Sequence, residues 1–416
     1  MKYMNYFGYT CMNRKKGWSA GKTMKLKNVS RSKMEEKIGI NLEELRKMLE
    51  YNVKNRMMFF RIGSGVIPFA SHKILREIGF DWKKQYKEEL REIGEYIKKN
   101  KIRISMHPDH HVVLNSLQER VVENSIKDLE YHCDLLDLMG LNKTHKIQVH
   151  TGGLYNDKNN AIKNWIKVYK TLDKKVKDRL VLENDDHLYN INDVYYISKH
   201  TGVPILFDTY HHECLPGDNN ETQAEAFALV LKTWTVQDGI PLIDYSSRSL
   251  EPNARKGKHA ETIDIDHMIS IMKQLDINKF PYDVMLEIKD KENSAHILSK
   301  YYSTINPYCY SLRSSIIHYL TRKTIPFICI SPHIIQITSP SLCIFIDSPS
   351  SVSDISFTSS FPFDISLIRL SSSHNLSSFL HDSFSLISSS SFPLFCASDN
   401  IIYKDHISLF SVSHFY

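Results

Sequence analysis

"IRISMHPDHHVV" (residues 102–113) decides how this chain is read. His107, His110 and His111 stand at i, i+3 and i+4, the spacing that on a helix would turn three imidazoles toward one metal ion. Pro108 argues against that helix, because its ring disfavours the α region for the residue before it. The short, mainly apolar run from Ile102 to Met106 instead reads as a strand buried on both faces, ending in His107 and a loop. Seven more runs have the same form: MNYFGYT (4–10), MMFFRIG (57–63), KIQVHTG (146–152), RLVLEND (179–185), PILFDTY (204–210), PLIDYSS (241–247) and YDVMLEIK (282–289).

Between these runs lie helical patterns. FDWKKQYKEELREIGEYIKKN (80–100) spaces apolar residues three and four apart, and LQERVVENSIKDLEYHCDLLDLMG (117–140) ends on Gly140, a predicted C-cap. NNAIKNWIKVYKTLDKKV (159–176), NINDVYYISKHTG (190–202) and TQAEAFALVLKTW (222–234) continue the alternation. Eight strands alternating with helices predict an α/β fold, a TIM-type (β/α)8 barrel. An open, doubly wound sheet is the alternative.

The polar residues fall at the strand ends. Asn13 follows the first strand, and Arg61 and Ser64 close the second. His107, His150, Glu183, Asp208 with His211, Asp244 and Glu287 end the third to eighth strands, and His259 lies in the loop after the seventh. In a barrel those C-terminal ends form one ring around the active site. A single such residue would be an ordinary capped strand end; coincidence at six strands argues for a site. Histidines and carboxylates without cysteine suit manganese, zinc or ferrous iron, and so many donors at one mouth imply two or three ions. Such clusters clamp the attacking and leaving oxygens of a phosphoryl displacement and supply hydroxide near neutral pH.

Composition bounds the remaining choices. The 416 residues are 42% hydrophobic and 24% charged, which is ordinary for a globular protein. A net charge of +6 only weakly favours anionic partners. Seven cysteines without a CxxC pair predict a reduced, cytoplasmic protein. The start, MKYMNYFGYT, has no apolar h-region, and no run is long enough to predict a membrane span. Charge does concentrate in two loops at the predicted mouth. NRKKGWSAGKTMKLKNVSRSK (13–33) carries Lys15 and Lys16, and RSLEPNARKGKH (248–259) carries Arg255, Lys256 and Lys258. Basic side chains on phosphates give salt-dependent affinity that does not depend on sequence, which suits double-stranded DNA.

The stretches GYTCMN, RISMHPDHHVVLNS, VHTGGLYN, LENDDHLYN, FDTYHH, GKHAETI and DVMLEIKDKE, in this order, resemble the UV damage endonucleases, the UvdE family, over about residues 3–295. The resemblance implies a TIM barrel of the endonuclease IV-like superfamily. It also implies a divalent cluster, typically manganese, that hydrolyses the DNA backbone on the 5′ side of pyrimidine dimers and 6-4 photoproducts. His107, His150, Glu183, Asp208, His211 and Glu287 match the family's metal ligands, with Glu183 as the bridging carboxylate. His259 matches a catalytic-site histidine, and Tyr9 and Asn13 match residues near the lesion. His110 and His111 stand where the family commonly carries a Gln-Tyr pair that probes the duplex. Probing a damaged site implies flipping nucleotides toward it, which costs less for damaged bases. Leu242 and Asp244 stand where the family often has a lysine and a histidine; Asp244 remains a competent ligand, and Leu242 suits barrel core. No membrane and no obligate protein partner are expected, and the expected place of work is the nucleoid.

Residues 1–295 thus read as the endonuclease domain, and 296–416 as a separate tail. From residue 301 onward there is no Gly, Glu, Met or Trp, while Ser, Ile, Phe and Leu dominate. Such a composition predicts a poorly ordered or spurious extension, because a domain needs glycine in its tight turns. The barrel's closing helix is due after KENSA (291–295), where the unusual composition begins. Three rival readings are an abasic-site endonuclease of the endonuclease IV type, a metal-dependent sugar isomerase on the same barrel, and a binding module without turnover.

Overall fold

A computed structural model describes residues 3–305 throughout and, beyond them, the strands Phe327–Ile330, Ile334–Ser339, Leu342–Asp347, Asp354–Thr358 and Ile368–Arg369. Those five strands pair antiparallel in chain order. Most of the tail expected to be poorly ordered lies outside the described residues.

Tyr6–Tyr301 form one unit, built on a closed barrel. Its strands are β1 (Met4–Thr10), β2 (Phe59–Ile62), β3 (Arg103–Met106), β4 (Lys146–Val149), β5 (Leu180–Glu183), β6 (Ile205–Asp208), β7 (Leu242–Tyr245) and β8 (Tyr282–Leu286). Each pairs in parallel with its chain neighbour, and β8 closes against β1. All four residues of β2, β3, β4, β5, β6 and β7 are buried, as sheet strands covered on both faces require. At the β1–β2 seam the backbones approach so closely that a Cβ on Gly8 would lie 1.4 Å from the Phe59 carbonyl oxygen, so only glycine fits.

Helices cover the barrel: α1 (Arg31–Lys54), α2 (Lys87–Asn100), α3 (Glu119–Leu138), α4 (Lys158–Thr171), α5 (Ile191–Thr201), α6 (Gln223–Leu231), α7 (Ile265–Leu275) and α8 (Glu292–Ile305). Reciprocal capping boxes start α5, from Asn190 and Asp193, and α6, from Thr222 and Glu225. Gly140 follows α3 with φ +65°, one residue past the C-cap. The closing helix is present as α8, and the composition break at residue 296 falls inside it.

The two ends of the barrel use charge differently. At the strand starts, charged residues tie the bottom shut. Arg103 donates to Asp283 Oδ2 (2.5 Å) and Lys146 to Asp238 Oδ1 (2.7 Å), while Arg179 donates to the Asn142 carbonyl (2.8 Å). Within the barrel, Leu242 packs with Phe59, Val181, Leu206 and Met285, so the residue at the family's lysine position is core. At the opposite ends, acids and imidazoles gather around one another.

Candidate active site

Three overlapping groups of side chains have potential ligand atoms within 4.8 Å of one another: His107, His150 and Glu183; Glu183, Asp208 and His211; and Asp208, Asp244 and Glu287. The barrel brings them together because each sits at or just past the C-terminal end of its strand. Glu183 lies in the middle. Its Oε2 is 3.6 Å from His107 Nε2 and 3.7 Å from His150 Nε2, and its Oε1 is 3.2 Å from His211 Nδ1. Burial would raise the pKa of Glu183, but His150, His211 and His107 hold it well below the usual carboxylate range.

Asp208 has two jobs. Its Oδ1 caps the short helix Thr209–Cys214, accepting from the Tyr210 and His211 amides at 2.8 Å each. Its Oδ2 is buried and lacks a hydrogen-bond partner, and the same holds for His107 Nδ1 and His150 Nδ1. Unpartnered buried polar atoms of this kind are what a metal-binding mouth leaves open, and histidine with carboxylate is a donor set suited to divalent ions. Burial, reinforced by Glu183 and Glu287, pushes Asp208 up to about 7 against the opposing pull of His211. His211 Nδ1 donates to the Asn184 carbonyl (2.9 Å), and His259 Nδ1 to the Glu287 carbonyl (2.8 Å). In their neutral forms both rings therefore keep the Nε2 lone pair free. Burial lowers the His259 pKa and favours that neutral form.

A cavity of about 970 Å³ opens over this ring, lined by His107, His150, Glu183, His211, His259 and Glu287, with Arg255, Lys258 and Lys289 among its walls. Lys258 also bonds the Glu251 carboxylate. Lys15 and Lys16 are exposed but stand apart from the cavity wall, as does Lys256. The Arg14 and Lys15 amides donate to Glu292 (2.9 and 2.7 Å), which anchors the first basic loop on α8. That loop contains a small hairpin, Met12–Asn13 with Trp18–Ser19, and its last residues open α1.

Tyr9 and Asn13 are fully buried. Tyr9 donates to Asn52 Oδ1 (2.7 Å), and Asn13 Oδ1 accepts from the Lys16 amide (3.0 Å), so neither side chain reaches the cavity wall. His110 lines the cavity, whereas His111 is exposed and pairs with Asp128. Asp185, Asp186 and His187 form a further acidic group, but Asp185 Oδ1 is already used by the His187 and Leu188 amides (2.8 Å each).

Two residues central to this arrangement have no role assigned from sequence. Arg61 donates to both oxygens of Asp244 (2.8 and 2.7 Å) and to Glu287. Gln148 Nε2 donates to Glu183 Oε2 (2.9 Å) and Asp244 Oδ2 (2.8 Å). Arg61 is the polar exception in an apolar strand, and Gln148 lies two residues before His150, hence on the same strand face.

The family model described as UV-endonuclease UvdE matches residues 5–312. The UV DNA damage endonuclease of Clostridium perfringens (strain 13 / Type A) is 39% identical over 289 residues, covering 69% of this chain and 68% of its own length. That of Bacillus cereus (strain G9842) is 30% identical over 281 residues, covering 66% and 86%. A crystal structure of SacUVDE is 40% identical, with a TM-score of 0.66 over 72% of this chain and 99% of that one.

Proposed function

We infer that this chain, which belongs to the UV-endonuclease UvdE family, is a DNA repair endonuclease for UV damage that works through divalent ions held at the barrel mouth. The observation that carries the metal reading is the ring of His107, His150, Glu183, Asp208, His211 and Glu287, with a buried, unpartnered Asp208 oxygen among them. His107, His150 and Glu183 would hold one ion, and Glu183, Asp208 and His211 a second. Manganese is the ion we propose. When bound, such ions polarise the phosphodiester and neutralise charge on the leaving oxygen.

The chain's own groups do the rest. Arg255 and Lys258 at the cavity wall, with Lys15, Lys16 and Lys256 in the two basic loops, would hold DNA phosphates and orient the duplex. His259, neutral and fixed through Nδ1, offers Nε2 as a proton acceptor or carrier. Incision on the 5′ side of pyrimidine dimers and 6-4 photoproducts is proposed on the family's pattern, with His110 and His111 probing the lesion. Tyr9 and Asn13, being internal, would act by shaping the first loop. No helix among the described residues is long and apolar enough to cross a membrane, and work on nucleoid DNA is the proposed setting.

The residues beyond the family match are proposed to be dispensable. The test is Mn2+-dependent nicking of UV-irradiated plasmid by the full chain and by residues 1–312. We expect nicks on irradiated DNA, none on undamaged DNA, and equal rates from the two proteins. Equal cutting of abasic and irradiated DNA would favour the abasic-site reading. Ketose turnover without nicking would favour the isomerase.

A further inference from the structure

The three donor groups at the mouth are not alike. In the groups His107, His150, Glu183 and Glu183, Asp208, His211, no Arg or Lys cation pairs with Glu183 or Asp208 among the described residues, although Gln148 Nε2 donates to Glu183 Oε2. The third group, Asp208, Asp244 and Glu287, already contains a cation. Arg61 Nη2 lies 2.8 and 2.7 Å from the two oxygens of Asp244 and 2.5 Å from Gln148 Oε1, while its Nη1 donates to Glu287 Oε1. Gln148 Nε2 adds a further donor to Asp244 Oδ2 at 2.8 Å. Both oxygens of Asp244 are therefore engaged.

Arg61 cannot easily leave. Its side chain is 2% exposed and that of Asp244 0%. Its backbone is fixed in β2, opposite Thr10 on one side and Ser105 on the other. Nor can it give up its charge, because a guanidinium stays protonated in proteins. A divalent ion placed among Asp208, Asp244 and Glu287 would meet this cation at contact distance.

We propose that Arg61 stands in the place of a third metal ion, so that this chain takes two divalent ions, with a buried guanidinium as the third positive centre of its active site. The proposal rests on the metal-dependent reading above. The charges agree with it. With Asp244 neutralised by Arg61, three carboxylates face two divalent ions, leaving about one positive charge to meet one phosphodiester. A charge supplied by the chain does not vary with metal supply, whereas the two ions do.

The test is the metal content of the full chain, saturated with Mn2+, freed of excess ion and counted by elemental analysis, with a calorimetric titration of the metal-free protein alongside. Two ions per chain are expected. Three would overturn the proposal while leaving the metal-dependent reading intact, and none would overturn that reading itself. Arg61→Ala frees Asp244 and Glu287, and its count is expected to rise to three. A folded Arg61→Ala that still binds two ions shows that Arg61 is not what excludes the third. If that variant does not fold, the wild-type count decides.

Discussion

His110 lies over His150, with ring centroids 5.4 Å apart and planes 23° from parallel. The next residue, His111, turns away and bonds Asp128 through Nε2 at 2.9 Å. The two histidines therefore have different surroundings, although the sequence presents them as one probing pair. His111, exposed and held by Asp128, presents its ring to solvent, whereas His110 packs on a proposed ligand. His111→Ala is expected to keep full Mn2+ content and to weaken the preference for irradiated over intact DNA by about 5- to 100-fold, the range of one base–aromatic stack. His110→Ala is expected to weaken Mn2+ binding as well. Binding titrations with both DNAs, beside metal counts, separate the two roles; loss of metal from His111→Ala would reverse the assignment.

Gln148 joins Glu183 to the Arg61–Asp244 pair, with one amide group serving both carboxylates. Hydrogen bonds to metal-holding groups typically carry 10- to 100-fold in affinity or activity. Gln148→Leu is close in size and removes those bonds together with the one that Gln148 Oε1 accepts from Arg61. We expect it to fold and to bind Mn2+ about 10- to 100-fold more weakly by calorimetry. An unchanged affinity would mean that Glu183 is positioned by its histidines alone.

Arg61 and Gln148 also mark how far the sequence can be read. The eight strands are legible because a strand buried on both faces writes itself as a short apolar run, and the ring is legible because barrel sites collect at strand C-termini. Arg61 and Asp244 are 183 residues apart, and their pairing depends on how β2 and β7 face each other across the closed barrel. No local pattern carries that. The motif places Tyr9 and Asn13 near the lesion, but the alternation of a strand does not reveal which face a hairpin will cover, and the structure buries both. The closing helix is hidden for another reason: its first turns keep helical spacing while the composition has already begun to change.

The basic rim makes a graded prediction. Removing one cation from a DNA phosphate should flatten the dependence of log affinity on log salt by about 0.9. Arg255 lines the cavity, whereas Lys258 is engaged by the Glu251 carboxylate. Arg255→Ala is therefore expected to change the slope more than Lys258→Ala. Lys15→Ala, Lys16→Ala and Lys256→Ala should each weaken binding to intact and irradiated DNA equally. Slopes measured between about 50 and 200 mM salt check this. Slopes that do not move in any of the variants would take these loops out of the interface.

His145, remote from the mouth, sets an acid limit on the fold. Its Nδ1 accepts the Ile104 amide at 2.9 Å, and burial, then Arg103 and Arg179, push its pKa down to about 3. A histidine held neutral in the folded state and ordinary when unfolded stabilises the fold fully above about pH 6.5. That contribution is lost as pH falls from 6.5 toward 3, at about 1.4 kcal/mol per pH unit for one proton. His145→Asn keeps an acceptor for Ile104 but cannot titrate. The wild type should therefore lose stability faster than the variant between pH 6.5 and 4.5, by about 1.4 kcal/mol per unit, in denaturant unfolding of the metal-free proteins. Parallel pH profiles would show that some other buried group sets the limit, such as His107 or His132, which burial also keeps neutral.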